Sequence, residues 1–145
     1  MPQAIEPRTY TIHGDPVPLA RPRFSYISAH IYDSQICLKR AAMHALLKQN
    51  EPRYLYVGPC SVEVTFYLKL PKSMSPKKMK MREESYHVYR PDLDNLCKFL
   101  CDVIQMKDDD EKPLLLNDDS IICVMNARKL YSAQPRTIFT ITELK

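Results

Sequence analysis

From Ser61 to Leu70 the chain alternates. Val62, Val64, Phe66, Leu68 and Leu70 are apolar, and Ser61, Glu63, Thr65, Tyr67 and Lys69 fall between them. Successive side chains of a strand point to opposite faces, so this period of two predicts a strand with one buried face. Pro71 ends it. Further along, the period changes to that of a helix. Leu93, Leu96, Cys97, Leu100, Val103 and Ile104 share one face, and Asp94, Lys98, Asp102 and Gln105 run along the other. A half-buried strand followed by an amphipathic helix restricts the chain to layered folds in which helices cover a sheet.

The remaining segments fill in that picture. Tyr10 to His13 predicts a short first strand, and Gly14-Asp15-Pro16-Val17-Pro18 then breaks the chain. Arg21-Pro22-Arg23-Phe24 reads as extended and basic. From Asp33 to Asn50 the pattern is helical, with Asp33 or Ser34 as the cap. Leu38, Ala41, Ala42 and Ala45 form its expected apolar stripe, leaving Lys39, Arg40 and Lys48 outside. A basic connection from Lys72 to Arg90 is long enough to be either functional or mobile. The turn from Lys107 to Pro113 stops the second helix, and strands are expected over 120–131 and 137–144. The sum is an α/β (α+β) fold: a single domain over residues 1–145, with one mixed sheet packed by two main helices.

Composition removes several functions. The four histidines show no metal-ligand spacing, and none pairs with a Ser or Cys nucleophile, which disfavours covalent catalysis. Two glycines against twelve prolines leave no Gly-rich phosphate cradle. The five cysteines are odd in number and form no CxxC pair, so neither a disulfide framework nor a zinc ribbon is expected. Cys97 and Cys101 are four apart but read as small apolar thiols in a reduced compartment. No apolar run resembles a signal peptide or a membrane span, so an intracellular location is expected. The net charge of +4 permits a polyanionic partner.

The chemistry concentrates between residues 90 and 119. Asp92 and Asp94 stand where an extended segment meets a helix, because Pro91 biases Arg90 away from helical geometry. Lys98 follows one turn later, and Asp118-Asp119 precede the next strand. Hard divalent cations take oxygen ligands from a few carboxylates plus substrate phosphate. Two such ions about 3.5–4 Å apart both activate water and absorb charge on a phosphodiester under attack. Asp92, Asp94 and Asp119 supply ligands from separate elements; Asp118 either ligates too or orients its neighbour. Lys98 supplies a point charge to the phosphate or the leaving oxygen. Each residue also has a plain role. Asp94 is equally an N-cap, Lys98 an i,i+4 partner of Asp94 or Asp102, and Asp118-Asp119 a turn. Asp102 reads as a solvated charge or a partner for Lys98 as readily as a ligand. The run from Asp108 to Glu111 lacks the glycine and ligand spacing of a calcium loop.

Pro91-Asp92-Leu93-Asp94-Asn95-Leu96 with Lys98 and Asp102, then Asp118-Asp119-Ser120-Ile121, resembles the RusA family of Holliday-junction resolvases. Gly14-Asp15-Pro16-Val17-Pro18 and Arg21-Pro22-Arg23-Phe24 extend the resemblance toward the N-terminus. The resemblance implies a small homodimeric α/β endonuclease from a bacterium or prophage, acting in the cytoplasm at the nucleoid. It implies a Mg2+- or Mn2+-dependent enzyme that nicks four-way junction DNA symmetrically in recombination and repair. Asp92, Asp94 and Asp119 become the metal-binding aspartates, Lys98 the catalytic lysine, and Asn95 a residue shaping the helix start. The chain departs from the pattern in its longer acidic insert, Lys107 to Asn117, which bears on the placement of Asp119.

Two identical sites in a twofold assembly match a junction with two equivalent strands to cut. Arg21, Arg23, Lys72, Lys77, Lys78, Lys80, Arg82 and Arg90 are the candidates for holding DNA phosphates, contacts that give affinity without reading sequence. Phe24, Tyr26 and Tyr89 are stacking candidates, with a core role the favoured expectation. Two other functions remain open at this point: a non-catalytic branched-DNA binder with a purely structural acidic cluster, and a nuclease for forks, flaps or RNA.

Overall fold

The computed structural model describes residues 6–144. Its centre is β4, Cys60–Lys69, the strand announced by the alternating pattern. Cys60, Val62, Val64, Phe66 and Leu68 are buried, whereas Glu63 and Lys69 are exposed. The sheet order is β1-β6-β4-β5, with β1 at Arg8–His13, β5 at Ile122–Ser132 and β6 at Arg136–Glu143. β6 runs antiparallel to both β1 and β4, and β5 runs parallel to β4, so the sheet is mixed as expected. Parallel neighbours need a long crossover. Here it carries α2, Pro76–Arg82, and α3, Leu93–Ile104.

α3 and α1, Ile36–Gln49, cover one face of the sheet. Leu96, Leu100, Val103 and Ile104 of the expected α3 face are buried, Leu93 and Cys97 are half-buried, and Phe99, outside that face, is buried as well. α1 differs. Its buried residues are Lys39, Ala42, Met43 and Leu46, rotated from the expected stripe, and Leu38 is half exposed. Leu38, Ala41, Ala42 and Ala45 instead line an open apolar groove of about 390 Å³ against Leu96 and Phe99. Neither Asp33 nor Ser34 caps α1; the N-cap position is Gln35, and its side chain makes no cap bond.

Two further elements lay outside the expectation. Arg23–Ser25 and His30–Tyr32 pair as a small hairpin, β2 and β3, where only an extended basic segment was expected. The connection from Lys72 to Arg90 is neither bare nor loose. It forms α2, then docks on β5 through Glu84 N–H to Tyr131 O at 2.8 Å, Tyr131 N–H to Ser85 O at 2.9 Å, and His87 N–H to Lys129 O at 3.1 Å.

The insert after α3 is built into the core. Leu114, Leu115 and Leu116 are fully buried. The Leu115 N–H reaches Ile104 O at 3.1 Å, and Tyr56 N–H reaches Leu115 O at 2.7 Å. Asn50, also buried, accepts from Arg8 and from Tyr54 N–H and donates to the Tyr54 and Leu114 carbonyls. It thereby ties the end of α1 to the insert. At the other end of β1, Gly14 has φ +101°, a conformation that side chains resist, and its N–H bonds Pro135 O at 3.1 Å. No helix among the described residues is long and apolar enough to cross a membrane.

Candidate active site

The acidic motif sits at the N-terminal end of α3. Asp92 takes the N-cap position with extended backbone, φ −70° and ψ 141°, yet its side chain makes no cap hydrogen bond. An N-cap aspartate ordinarily accepts from the helix's first N–H groups. The Asp92 carboxylate is therefore exposed and unused by the helix it begins. Asp94 is the second helical residue rather than the cap, which removes one of its two plain roles. A negative charge in the first turn is favoured by the helix dipole. Lys98 lies one turn on, its Nζ 3.7 Å from Asp94 Oδ2, with both side chains mostly exposed. An exposed i,i+4 pair of this kind contributes only about 0.3–0.5 kcal/mol and leaves both groups free to take other partners.

Asp118 and Asp119 lie near the other end of α3, in a short 3-10 turn that leads into β5. The Asp118 carboxylate accepts from Ser120 N–H at 3.4 Å, closing that turn. The Asp119 N–H donates to Gln105 Oε1 at 3.1 Å, which fastens the turn to the C-cap of α3. The Asp119 carboxylate is exposed.

Two thiols of α3 lie within the influence of these acids. Burial raises Cys97, with the charge of Asp94 adding to it. Burial and then the charge of Asp119 push Cys101 up to about 11. Both stay protonated at neutral pH, as small apolar thiols rather than soft-metal ligands. Cys97 and Cys101 are one turn apart on α3, a rise of about 6 Å, and each feels the charge of a different aspartate. Among the described residues, no three His, Cys, Asp or Glu side chains are gathered into a set poised to hold a cation.

Asp102 has a partner that the sequence did not announce. It pairs not with Lys98 but with Lys39 of α1, at 3.1 Å, and Lys39 also bonds Asp33 at 2.6 Å. Burial works against the Lys39 charge, but hydrogen bonds to Asp33 and Asp102 outweigh it and raise its pKa. Asp33 is lowered, first by the Lys39 bond and then by Gln35 N–H. Asp102 is thereby accounted for as a structural tie.

The basic candidates are all on the surface. Arg21, Arg23, Lys72, Lys77, Lys78, Lys80, Arg82 and Arg90 are exposed, and among the described residues none of them makes an ion pair. α2 carries four of them and buries nothing; the Ser75 hydroxyl accepts from Lys78 N–H at its start. Phe24, Tyr26 and Tyr89 are 51%, 91% and 71% exposed, which overturns the expectation of core roles for them. Phe24 and Tyr26 pack edge to face at 5.1 Å on the hairpin.

The family model described as endodeoxyribonuclease RusA matches residues 13–142. The chain is also similar to a Bacillus subtilis (strain 168) protein titled "Uncharacterized protein YqaN". The two are 29% identical over 144 residues, covering 93% of this chain and 95% of that one.

Proposed function

The chain belongs to the RusA endodeoxyribonuclease family, and on that premise we propose that it resolves Holliday junctions as a homodimer, using Mg2+ or Mn2+. The observation that carries this reading is Asp92. It occupies a cap position without using its carboxylate as a cap, two residues before Asp94, which itself stands one turn before Lys98. A purely structural aspartate at that position would be hydrogen-bonded to the first turn.

Asp92, Asp94 and Asp119 are hard oxygen donors with exposed carboxylates, a donor set that fits a hard divalent cation. When bound, the cation supplies an acidified water and neutralises charge developing on the phosphate. The chain's own residues do the rest. Asp92 and Asp94 anchor one side from the start of α3, and Asp119 the other from the turn before β5. Lys98 exchanges its weak contact with Asp94 for the scissile phosphate or the departing oxygen, as a mobile ammonium on a long stem. The unpaired basic residues of α2 and of the segments around β2 hold flanking phosphates. The exposed rings of Phe24 and Tyr26 offer a stacking surface to bases unpaired at a crossover.

The test is a labelled synthetic four-way junction, incubated with Mg2+ or with EDTA. Wild type nicks two strands of like polarity with Mg2+ and none with EDTA. Asp94→Asn keeps junction binding and loses nicking by more than about a hundredfold, as expected when a ligand of the reacting site is removed. Equal turnover by the two proteins refutes the reading. Shifts without nicks in any divalent metal make it a non-catalytic binder. Preference for forks or flaps at one fixed salt concentration reassigns the substrate.

A further inference from the structure

Lys129 lies on β5, on the side where the segment from Glu84 to Pro91 docks. Its Nζ donates to Tyr89 O at 2.7 Å and to Pro91 O at 2.8 Å, the carbonyls on either side of Arg90. The next residue is Asp92. Lys129 makes no ion pair among the described residues. Two of its three donors are thus committed to main-chain carbonyls, as charge-assisted bonds that are stronger and more directional than neutral ones. A lysine serving only as a phosphate contact would leave its ammonium free in solvent, as the basic residues of α2 do.

The dependence of Asp92 on this tie follows from its surroundings. Its carboxylate makes no cap bond, so its position rests on the backbone that delivers it. Upstream, that backbone is held at Ser85 and His87 by main-chain bonds to β5. Downstream it becomes α3, which Gln105 fastens to Asp119 at the far end. Between His87 and the helix, Lys129 supplies the side-chain clamp on the last carbonyls before the motif. We propose that Lys129 is a positioning residue of the endonuclease: it fixes the Tyr89–Pro91 backbone against β5 so that Asp92 presents its carboxylate beside Asp94. The assignment rests on the metal-dependent nuclease reading above.

The experiment compares wild type, Lys129→Met and Lys129→Arg by four readouts. They are Mn2+ binding by calorimetry without DNA, amide hydrogen exchange across residues 88–95, junction affinity without divalent metal at several salt concentrations, and nicking against Mg2+ concentration. Loss of a group that orients a ligand typically weakens metal affinity about 10–100-fold. Lys129→Met is therefore expected to bind Mn2+ at least about tenfold more weakly, with nicking restored toward wild type by excess Mg2+. Exchange quickens at residues 92–95, while junction affinity and its salt slope stay as in wild type. Lys129→Arg, which still donates to two carbonyls, recovers most of the Mn2+ affinity.

Wild-type Mn2+ affinity in a folded Lys129→Met protein overturns the assignment. So does a fall in junction affinity with a salt slope reduced by about 1, the mark of a lost phosphate contact, without a change in metal affinity. A wild type that neither binds Mn2+ nor cuts any branched DNA refutes the underlying nuclease reading, and Lys129 then positions nothing catalytic. A wild type that does both, matched by Lys129→Met, refutes the role of Lys129 alone.

Discussion

Lys39→Met should destabilise the protein by about 1–3 kcal/mol, and the figure follows from the exposure of the three groups. The Lys39 side chain is 9% exposed and holds Asp33 at 2.6 Å and Asp102 at 3.1 Å. Two charge-assisted bonds to a buried ammonium are worth at most about 1.5–3 kcal/mol each. The partner carboxylates, however, are 36% and 38% exposed and recover part of their hydration once the ammonium is gone. Methionine refills the contacts of the lysine stem, so little is added for a cavity. For a chain of this size, about 2–4 °C of Tm is lost per kcal/mol, giving a fall of about 2–12 °C.

Urea unfolding at 25 °C, followed by circular dichroism, measures the change as a shift in midpoint at constant slope. Its pH dependence has a definite form. Asp33 is held below its ordinary 3.8, so its share is present above that value and disappears as pH falls through the lowered one. Lys39 is raised above 10.5, so its share is present below that value and disappears as pH climbs through the raised one. The gap between wild type and variant should therefore stay flat across neutral pH and close at both extremes. A difference below about 0.5 kcal/mol, or one abolished by about 1 M salt, would show a screened surface pair and refute the reasoning.

Two further outcomes are expected. His87 packs against the ring of Tyr131 at 4.7 Å, and burial followed by the Lys129 charge lowers its pKa below 6.5. The unfolded chain then takes up the proton first, so stability should fall as pH drops below about 6.5 and level off below the folded value. His87→Gln should flatten that slope in urea titrations between pH 7 and 5; an unchanged slope rejects the cause. In the insert, Asp108 accepts from Arg53 at 2.7 Å and from the N–H groups of Asp110 and Lys112 at 2.9 Å each. Asp108→Ala should speed hydrogen exchange at residues 109–113 while leaving Leu114 to Leu116 protected, and equal exchange in both proteins would show that the loop is held by other means.

The parts of the protein visible in the sequence are those governed by near neighbours. The period of two placed β4, and the helical period placed α3 and most of its buried face, missing Phe99. Pro91 set where α3 begins, and the spacing of Asp92, Asp94 and Lys98 brought those groups to one helix end. All of this rests on contacts within a few residues, where backbone geometry leaves few choices. The tertiary structure decided what depends on distant partners. Lys39 counted as polar and was assigned outside the buried stripe of α1, because its carboxylates come from the preceding turn and from α3. The burial of Leu114 to Leu116 has no local signal, because no period separates three buried leucines from the acidic insert that contains them. Lys129 gives no signal in the sequence, since its acceptors are carbonyls some forty residues away, and carbonyls carry no side-chain signature. An amphipathic pattern shows which face of an element is apolar; which charged groups can be buried on it is settled only when another part of the chain supplies their partners.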